Sequence, residues 1–418
     1  MQIVILAAGK SNRFIPFGSF PHKSMVRLLD KTILEHMLFS VRTSGIDDIV
    51  IIVSKNSTIP EEIGNGENMG VKIKYVIQEE PLGMGHALLQ AEKYLQNKFF
   101  LANAYHIDFG EFKKQMEEKQ NSEETIVLLA KADDAREHYG NLILENGKVI
   151  DIVEKPSNIP DNALHIVGIY LLNKKFLNTL ANTPLEHYHF EKALSAYAKG
   201  KGVVYLETSK PTVTLKYGWD LLGLKDYLLK NMDSFTSPSA SIAKNAVLEG
   251  NIHIGENVEI YEGVCIKGPC FIGDDARIGN NAVVRGGVII GKKAVVGANM
   301  EIKNSILMED ATTHSGFIGD SVIANGSRIA GGFCSANVRF DRKEIEVKVR
   351  GERVNTHRKF LGLLCGERVD MGVGVFTMPG ITIGSNVTVG PSTTIMENIE
   401  DNSTYYTKFE TLVKKKNE

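Results

Sequence analysis

The stretch Phe271-Ile272-Gly273-Asp274-Asp275-Ala276-Arg277-Ile278-Gly279 contains the pair Ile-Gly twice, six residues apart. Outward from it, a branched apolar residue followed by Gly returns at Ile254-Gly255, Ile290-Gly291, Val296-Gly297, Ile318-Gly319, Ile383-Gly384 and Val389-Gly390. Ile254 to Ile272 and Ile272 to Ile290 are each 18 residues. Eighteen residues make one coil of three short strands, with branched side chains stacked inward and Gly at the turns. The phasing predicts a parallel β-helix of hexapeptide repeats over 240–405, then a tail at 406–418. Asp341 to Gly366 interrupts the repeat and reads as a projecting loop.

Upstream the pattern is different. Thr236-Ser237-Pro238-Ser239 reads as a linker, and residues 1–235 form a first domain in which short apolar strands alternate with amphipathic helices. Strands are expected at Ile3–Ala7, Asp48–Val53, Lys72–Ile77, Phe99–Ala102, Thr125–Ala130 and Ile166–Leu172. Thr32 and Glu35 make a capping-box signal, and Ile33, Met37 and Val41 follow as the apolar stripe of a helix lying on a sheet. This alternation predicts an α/β domain with a mostly parallel sheet. Ligands of such sheets sit at the carboxyl ends of the strands, so the loop after Ala7 is the first place to look.

Bulk properties agree with two globular domains. The chain has 418 residues, 43% of them hydrophobic and 23% charged, which is too long for one ordinary core. A net charge of −2 gives no reason to expect a nucleic-acid or membrane partner, and Lys414-Lys415-Lys416 reads as a frayed, solvated end. The start enters an apolar strand with no charged leader, and no run of about 18 apolar residues is present. Cys265, Cys270, Cys334 and Cys365 form no CxxC and sit among strand residues, as buried packers do. The expected location is the cytoplasm.

Chemistry-bearing residues cluster after the first strand. Ala7-Ala8-Gly9-Lys10-Ser11-Asn12-Arg13 has small residues that let backbone N–H groups approach phosphate oxygens, with an Arg for charge-assisted contacts. Lys23 follows beside Pro21 on an irregular segment. Gln78 precedes a second glycine turn, Pro81-Leu82-Gly83-Met84-Gly85-His86-Ala87. A side-chain amide can pair with a pyrimidine edge, and Gly83 permits close backbone approach to a base.

These segments resemble those of sugar-1-phosphate nucleotidyltransferases: the AAGxGTRL-type loop, a PK motif, Q-x4-LGTxHA, then Tyr139-Gly140, Glu154-Lys155-Pro156 and Gly168-Ile169-Tyr170. Trp219-Asp220-Leu221-Leu222 with Tyr227-Leu228-Leu229 is similar to a segment of the archaeal-type bifunctional members, which carry a left-handed β-helix after a Rossmann-like transferase domain. The resemblance implies that Ala7, Ala8 and Gly9 hold the nucleotide phosphates and that Arg13 stabilises the leaving pyrophosphate. It implies that Lys23 bridges the α-phosphate and the sugar phosphate, that Gln78 and Gly83 contact the base, and that Gly140, Glu154 and Lys155 hold the sugar. Asp220 is the implied Mg²⁺ ligand. Tyr105 stands where the family has a second metal-binding Asp, and Asp108, three residues on, is the alternative carboxylate. Ser11-Asn12 replace Gly-Thr, Met84 a Thr and Ile166 an Asn. An NTP and a sugar 1-phosphate are the implied substrates. Gln78 suits uracil and thymine alike, which leaves UTP or dTTP, and the sugar stays open between glucose and N-acetylglucosamine.

In the repeat region, Arg285, Lys303, His314 and the Asn337 segment resemble the acetyltransferase half of bacterial N-acetylglucosamine-1-phosphate uridyltransferase and its archaeal relatives. Glu301-Ile302-Lys303-Asn304-Ser305 matches the archaeal EVKNS segment, and His314-Ser315-Gly316-Phe317-Ile318-Gly319-Asp320 matches HlxYvGD. The resemblance makes Arg285, Lys303 and Asn337 sugar-phosphate contacts, His314 the general base and acetyl-CoA the co-substrate, in a homotrimer. Arg285 lies 18 residues before Lys303, so it should stack on the same face. The Lys-to-His spacing is one residue short, and Arg328 and Phe333 fall on the surface expected to admit the acceptor or the pantetheine arm. Two other readings stay open at this level: an acetyltransferase whose first domain only binds nucleotide, and an eroded scaffold that binds nucleotide sugar.

Overall fold

The computed structural model describes residues 1–132, 140–155, 160, 162–200 and 202–414. The chain divides into two compact units. The first comprises Met1–Ser11, Pro21–Val26 and Lys31–Thr214, and the second Asn12–Phe20, Arg27–Asp30 and Leu215–Glu418. In chain order, the elements before residue 235 are β1 (Gln2–Ala7), β2 (Arg27–Leu28), β3 (Lys31–Thr32), α1 (Ile33–Thr43), β4 (Asp48–Ser54), α2 (Ile59–Ile63), β5 (Lys72–Gln78), α3 (Met84–Ala91), β6 (Lys98–Asn103) and α4 (Lys113–Lys119). They continue with β7 (Ile126–Lys131), β8 (Gly140–Glu145), β9 (Lys148–Glu154), β10 (Leu164–Asn173), α5 (Lys174–Ala181), α6 (His189–Lys199), β11 (Val203–Glu207) and α7 (Asp220–Lys230).

The first unit is built on one sheet of order β11-β7-β10-β6-β1-β4-β5, with the β8–β9 hairpin attached to β10. β1 pairs in parallel with β4 on one side and β6 on the other. The chain therefore leaves β1 in both directions, and the loop after Ala7 opens at this reversal of strand order, where α/β sheets bind ligands. The Thr32 capping box forms as expected: the Thr32 N–H donates to Glu35 Oε2 at 2.7 Å, and the Glu35 N–H donates to Thr32 Oγ1 at 3.1 Å. Ile33, Met37 and Val41 are buried under α1. The sheet is mixed, because β10 runs antiparallel to both β6 and β7. All ten residues of β10 are buried, so no in–out alternation marks its direction.

The second unit contains a left-handed parallel β-helix. Ile254, Ile272 and Ile290 are register partners in one sheet, Ile260, Ile278 and Val296 in a second, and Ile266, Val284 and Ile302 in a third. All nine lie in its core. The corner glycines are required for a different reason from left-handed backbone. A Cβ at Gly273 would lie 2.7 Å from the Lys292 nitrogen, and one at Gly279 2.7 Å from the Ala298 nitrogen, both on the next coil. The left-handed positions fall two residues later, at Asn257, Asp275 and Lys293. Past Ile290 the coils shorten, with Leu307 pairing to Ile290 and Ile323 to Leu307, and this accounts for the short Lys-to-His spacing.

The interruption is more ordered than a projecting loop. It carries an antiparallel hairpin, Glu346–Val349 with Glu352–Asn355. Ile345, Val347 and Leu361 are buried, and a Cβ at Gly380 would lie 2.6 Å from Ile345 Cγ2. The insertion is thus folded onto a coil through alternating apolar residues. The four cysteines are free thiols; Cys270 and Cys365 are fully buried, with pKa values pushed up to about 12 by burial.

Candidate active sites

At the end of β1, Ala7 and Ala8 are buried and Gly9 is exposed. A Cβ on Gly9 would meet nothing within 4 Å, and the same holds at Gly83, whose φ of +98° suits Gly alone. Gly83 caps α3, so the free N–H groups of that helix open at the second glycine turn. Gln78, at the end of β5, commits both amide hydrogens: Nε2 donates to Gly83 O at 3.0 Å and to His86 Nδ1 at 3.1 Å. The amide thereby shapes the turn, and its carbonyl oxygen is what it can offer to a base N–H.

Lys23 is held by a cap that the sequence motif did not reveal. His22 is buried, and its Nδ1 accepts from the Ser24 N–H at 3.2 Å and lies 2.7 Å from Ser24 Oγ. Burial, reinforced by the Lys23 charge, lowers the His22 pKa to about 3, so the ring is neutral beside the lysine. In the unfolded chain His22 protonates near the ordinary histidine value of 6.5. Below that pH the unfolded state binds the extra proton, and stability falls as pH drops from about 6.5 to about 3, by about 1.4 kcal/mol per unit at most. Urea titrations at pH 7, 5.5 and 4.5 should show this slope. His22→Asn, which keeps a capping acceptor without a titrating group, should flatten it; an unchanged slope would refute the assignment.

Lys23 Nζ lies over the Tyr105 ring, 4.9 Å from its centroid. The residue standing where the family has a carboxylate therefore meets the cation through its π face. Asp108 does not serve as the replacement metal ligand. It is fully buried, with Oδ1 3.2 Å from His106 Nδ1 and Oδ2 accepting the Val213 N–H at 3.0 Å.

On the sugar side, Gly140 pairs with Glu154 across the β8–β9 hairpin. A Cβ at Gly140 would lie 2.8 Å from Glu154 Oε2, so only Gly leaves room for that carboxylate. Lys155 Nζ is 3.8 Å from Glu154 Oε1 and 5.5 Å from the centroid of the Tyr188 ring. Burial raises the Glu191 pKa, with Lys155 opposing the shift. Burial also raises that of Tyr170, helped by Glu191, Glu154 and Tyr105, which places these groups in one electrostatic neighbourhood. A cavity of about 520 Å³ opens between Pro81–Gly85 and Leu185–Glu191. Tyr188 and Glu191 were not singled out from sequence; the run His187-Tyr188-His189 ahead of a helix was the available signal. Tyr139 and Pro156, also quoted in the motifs, lie outside the described residues.

Arg13 and Asp220 belong to the second unit. Arg13 hydrogen-bonds Tyr217, whose ring stacks on Trp219 at 4.4 Å. Asp220 Oδ2 accepts the N–H groups of Lys216 at 2.6 Å and Tyr217 at 2.8 Å. Among the described residues no group of three His, Cys, Asp or Glu side chains could hold a metal. Mg²⁺ commonly takes one or two carboxylates and fills its shell with phosphate and water, so a single carboxylate at Asp220 fits that sparse donor set. The Tyr105 phenol does not.

In the β-helix, Arg285 and Lys303 are register partners on adjacent coils, as the 18-residue interval predicts. Arg285 pairs with Glu301 at 2.8 Å. Lys303 Nζ lies 3.4 Å from Asp320 Oδ2 and 4.7 Å from the centroid of the Phe360 ring, which the insertion supplies. Asn337 Nδ2 donates to the same Asp320 oxygen at 2.6 Å. His314 stands apart from this network, exposed at the corner before Gly316–Gly319, with Nδ1 3.4 Å from where a Gly331 Cβ would lie. Phe333 is not on the surface: it is in the helix core, 1% exposed, while Arg328 does face solvent. No helix among the described residues is long and apolar enough to cross a membrane.

A doubly flanked β1 with glycine turns, followed by a β-helix bearing a basic column, defines a nucleotidyl transferase with a hexapeptide-repeat extension. The nucleotidyl transferase family model matches residues 2–234, and that of the GMPPB C-terminal domain matches 266–361. The "Bifunctional protein GlmU" of Methanococcus maripaludis (strain C7) is 34% identical over 423 residues, and that of Methanococcus vannielii 31% over 430, each covering 100% of both chains. The "Bifunctional sugar-1-phosphate nucleotidylyltransferase/acetyltransferase" of Sulfurisphaera tokodaii is 29% identical, over 96% of this chain and 98% of its own. The chain belongs to the nucleotidyl transferase family and, over its full length, to the archaeal GlmU-type bifunctional group.

Proposed function

We propose that this protein transfers a nucleotidyl group from UTP or dTTP to glucose 1-phosphate or N-acetylglucosamine 1-phosphate, and that its β-helix acetylates glucosamine 1-phosphate from acetyl-CoA. The observation that carries the first activity is the pair of open glycine turns at Gly9 and Gly83, on the carboxyl edge of the parallel β1–β4–β5 part of the sheet. A sugar-phosphate oxygen attacks the α-phosphorus in line and pyrophosphate leaves, a step that needs alignment and charge neutralisation more than a nucleophilic side chain. Ala7, Ala8 and Gly9 cradle the phosphates, Lys23 bridges the α-phosphate and sugar phosphate, and Arg13 meets the charge on the leaving group. The Gln78 carbonyl and Gly83 read the base, while Gly140, Glu154 and Lys155 hold the sugar. Mg²⁺, held by Asp220, supplies further neutralisation of the phosphates when bound.

In the second activity, Arg285, Lys303 and Asn337 hold the acceptor phosphate and His314 takes a proton from the attacking amine. Exposed Val283 and Phe376, on the outer side of the third sheet, support assembly as a homotrimer. A cytoplasmic location belongs to the same proposal, and four free thiols suit a reducing compartment. The test is pyrophosphate release across UTP, dTTP, GTP and CTP against the three sugar phosphates, with CoA release measured beside it. Turnover with one pair is expected. Folded protein that binds nucleotide and releases no pyrophosphate would overturn the transferase reading.

A further inference from the structure

Lys225, midway along α7, has no side-chain exposure. A buried ammonium is costly unless its donors are matched, so its partners are informative. Nζ donates to the Asp226 carboxylate and, at 2.7 Å, to Asn304 Oδ1. Lysine only donates, so Asn304 turns its carbonyl to Lys225 and its NH2 away. That NH2 donates to Asp320 Oδ1 at 2.6 Å. Asp320, 2% exposed, takes Asn337 Nδ2 at 2.6 Å and Lys303 Nζ at 3.4 Å on its other oxygen. A cation buried on α7 is thus two hydrogen bonds from the carboxylate that orients both Lys303 and Asn337.

We propose that Lys225 is a positioning residue for the acceptor-phosphate site of the β-helix, acting through the Asn304 amide and Asp320. The inference rests on the acetyltransferase reading. With Lys225 in place, Asp320 is saturated by two amide donors and holds Lys303 loosely, which leaves that ammonium available to an incoming phosphate. There is little slack: a Cβ at Gly287, where φ is +79°, would stand 3.0 Å from Asn304 Oδ1 and 3.3 Å from Lys225 Nζ. Without the ammonium, Asn304 Oδ1 loses its buried donor and the amide is held from the Asp320 side alone, so its grip on that carboxylate loosens. Asp320 then closes on Lys303, and the acceptor must compete with a full ion pair. The effect falls on phosphate binding, because His314 lies outside the network.

The test uses the full chain as Lys225→Met, Lys225→Arg and Asn304→Asp. The last keeps the buried cation paired while setting a carboxylate in place of the amide donor to Asp320, and its folding is read from the unfolding transition. Thermal unfolding checks each variant, calorimetry gives the Kd for glucosamine 1-phosphate, and steady-state acetyl transfer gives KM and kcat. Lys225→Met and Asn304→Asp are expected to raise Kd and KM about tenfold with kcat within about twofold, and Lys225→Arg to recover most of the loss. Unchanged Kd and KM in folded Lys225→Met or Asn304→Asp, or a fall in kcat alone, overturns the inference while leaving the acetyltransferase reading intact. A wild-type chain that neither binds nor acetylates glucosamine 1-phosphate overturns that reading, and the inference with it.

Discussion

Lys23→Ala is expected to lower the rate of pyrophosphate release by about 10²–10³-fold, with the loss mainly in kcat. The ammonium follows a buried, neutral His22 cap and lies over the Tyr105 face, so its position is set before substrate arrives. A preorganised cation beside the five-coordinate phosphorus of in-line displacement acts where negative charge concentrates. Truncation leaves the glycine turns intact, so nucleotide should still bind within a few-fold of wild type. Lys23→Arg should recover only part of the rate, because a planar guanidinium cannot place a point charge at the same spot. Single-turnover rates and nucleotide titrations on the same preparations separate the two effects. A variant that keeps wild-type kcat and loses only affinity would remove Lys23 from the chemical step.

Gly316→Ala is expected to destabilise the β-helix by about 3–5 kcal/mol, for two independent reasons that add. Gly316 has φ of +131°, where an L side chain is strained, and its Cβ would collide with the Phe333 carbonyl oxygen and lie 2.8 Å from the Phe333 nitrogen on the next coil. Both atoms are backbone, so no side chain can swing away. Gly18→Ala is the matched control, because a Cβ there meets nothing within 4 Å and φ is not positive. Unfolding followed by calorimetry should show a lower transition for Gly316→Ala and an unchanged one for Gly18→Ala. Because His314 lies two residues away, the same variant should lose acetyl transfer even at temperatures where it stays folded. Equal melting of the two variants would refute the packing argument.

Much of the architecture was already written in local pattern. The 18-residue return of Ile254, Ile272 and Ile290 gives the coil length, and with it the stacking of Arg285 on Lys303, because a fixed repeat leaves one register. Thr32 and Glu35 mark the start of α1, since a capping box is made within four residues. The glycine turns were legible for a similar reason, each being closed by its own neighbours.

What the sequence left open depends on residues distant in the chain. β10 is buried on both faces, so its antiparallel direction was decided by β6 and β7. Phe333 reads as a surface residue from its motif, yet it points inward because its register partners across the coils are Gly316 and, beyond it, the core residue Met300. The insertion folds onto a coil through Ile345 and Gly380, two residues 35 positions apart. Asp108, a plausible ligand by spacing, is taken up by His106 and by Val213 from over a hundred residues away. Repeats, caps and glycine turns are short-range and were set by the sequence itself. The direction of a fully buried strand and the partners of a buried carboxylate or ammonium were decided only by the tertiary structure, because desolvation makes each polar group seek whichever partner folding brings near.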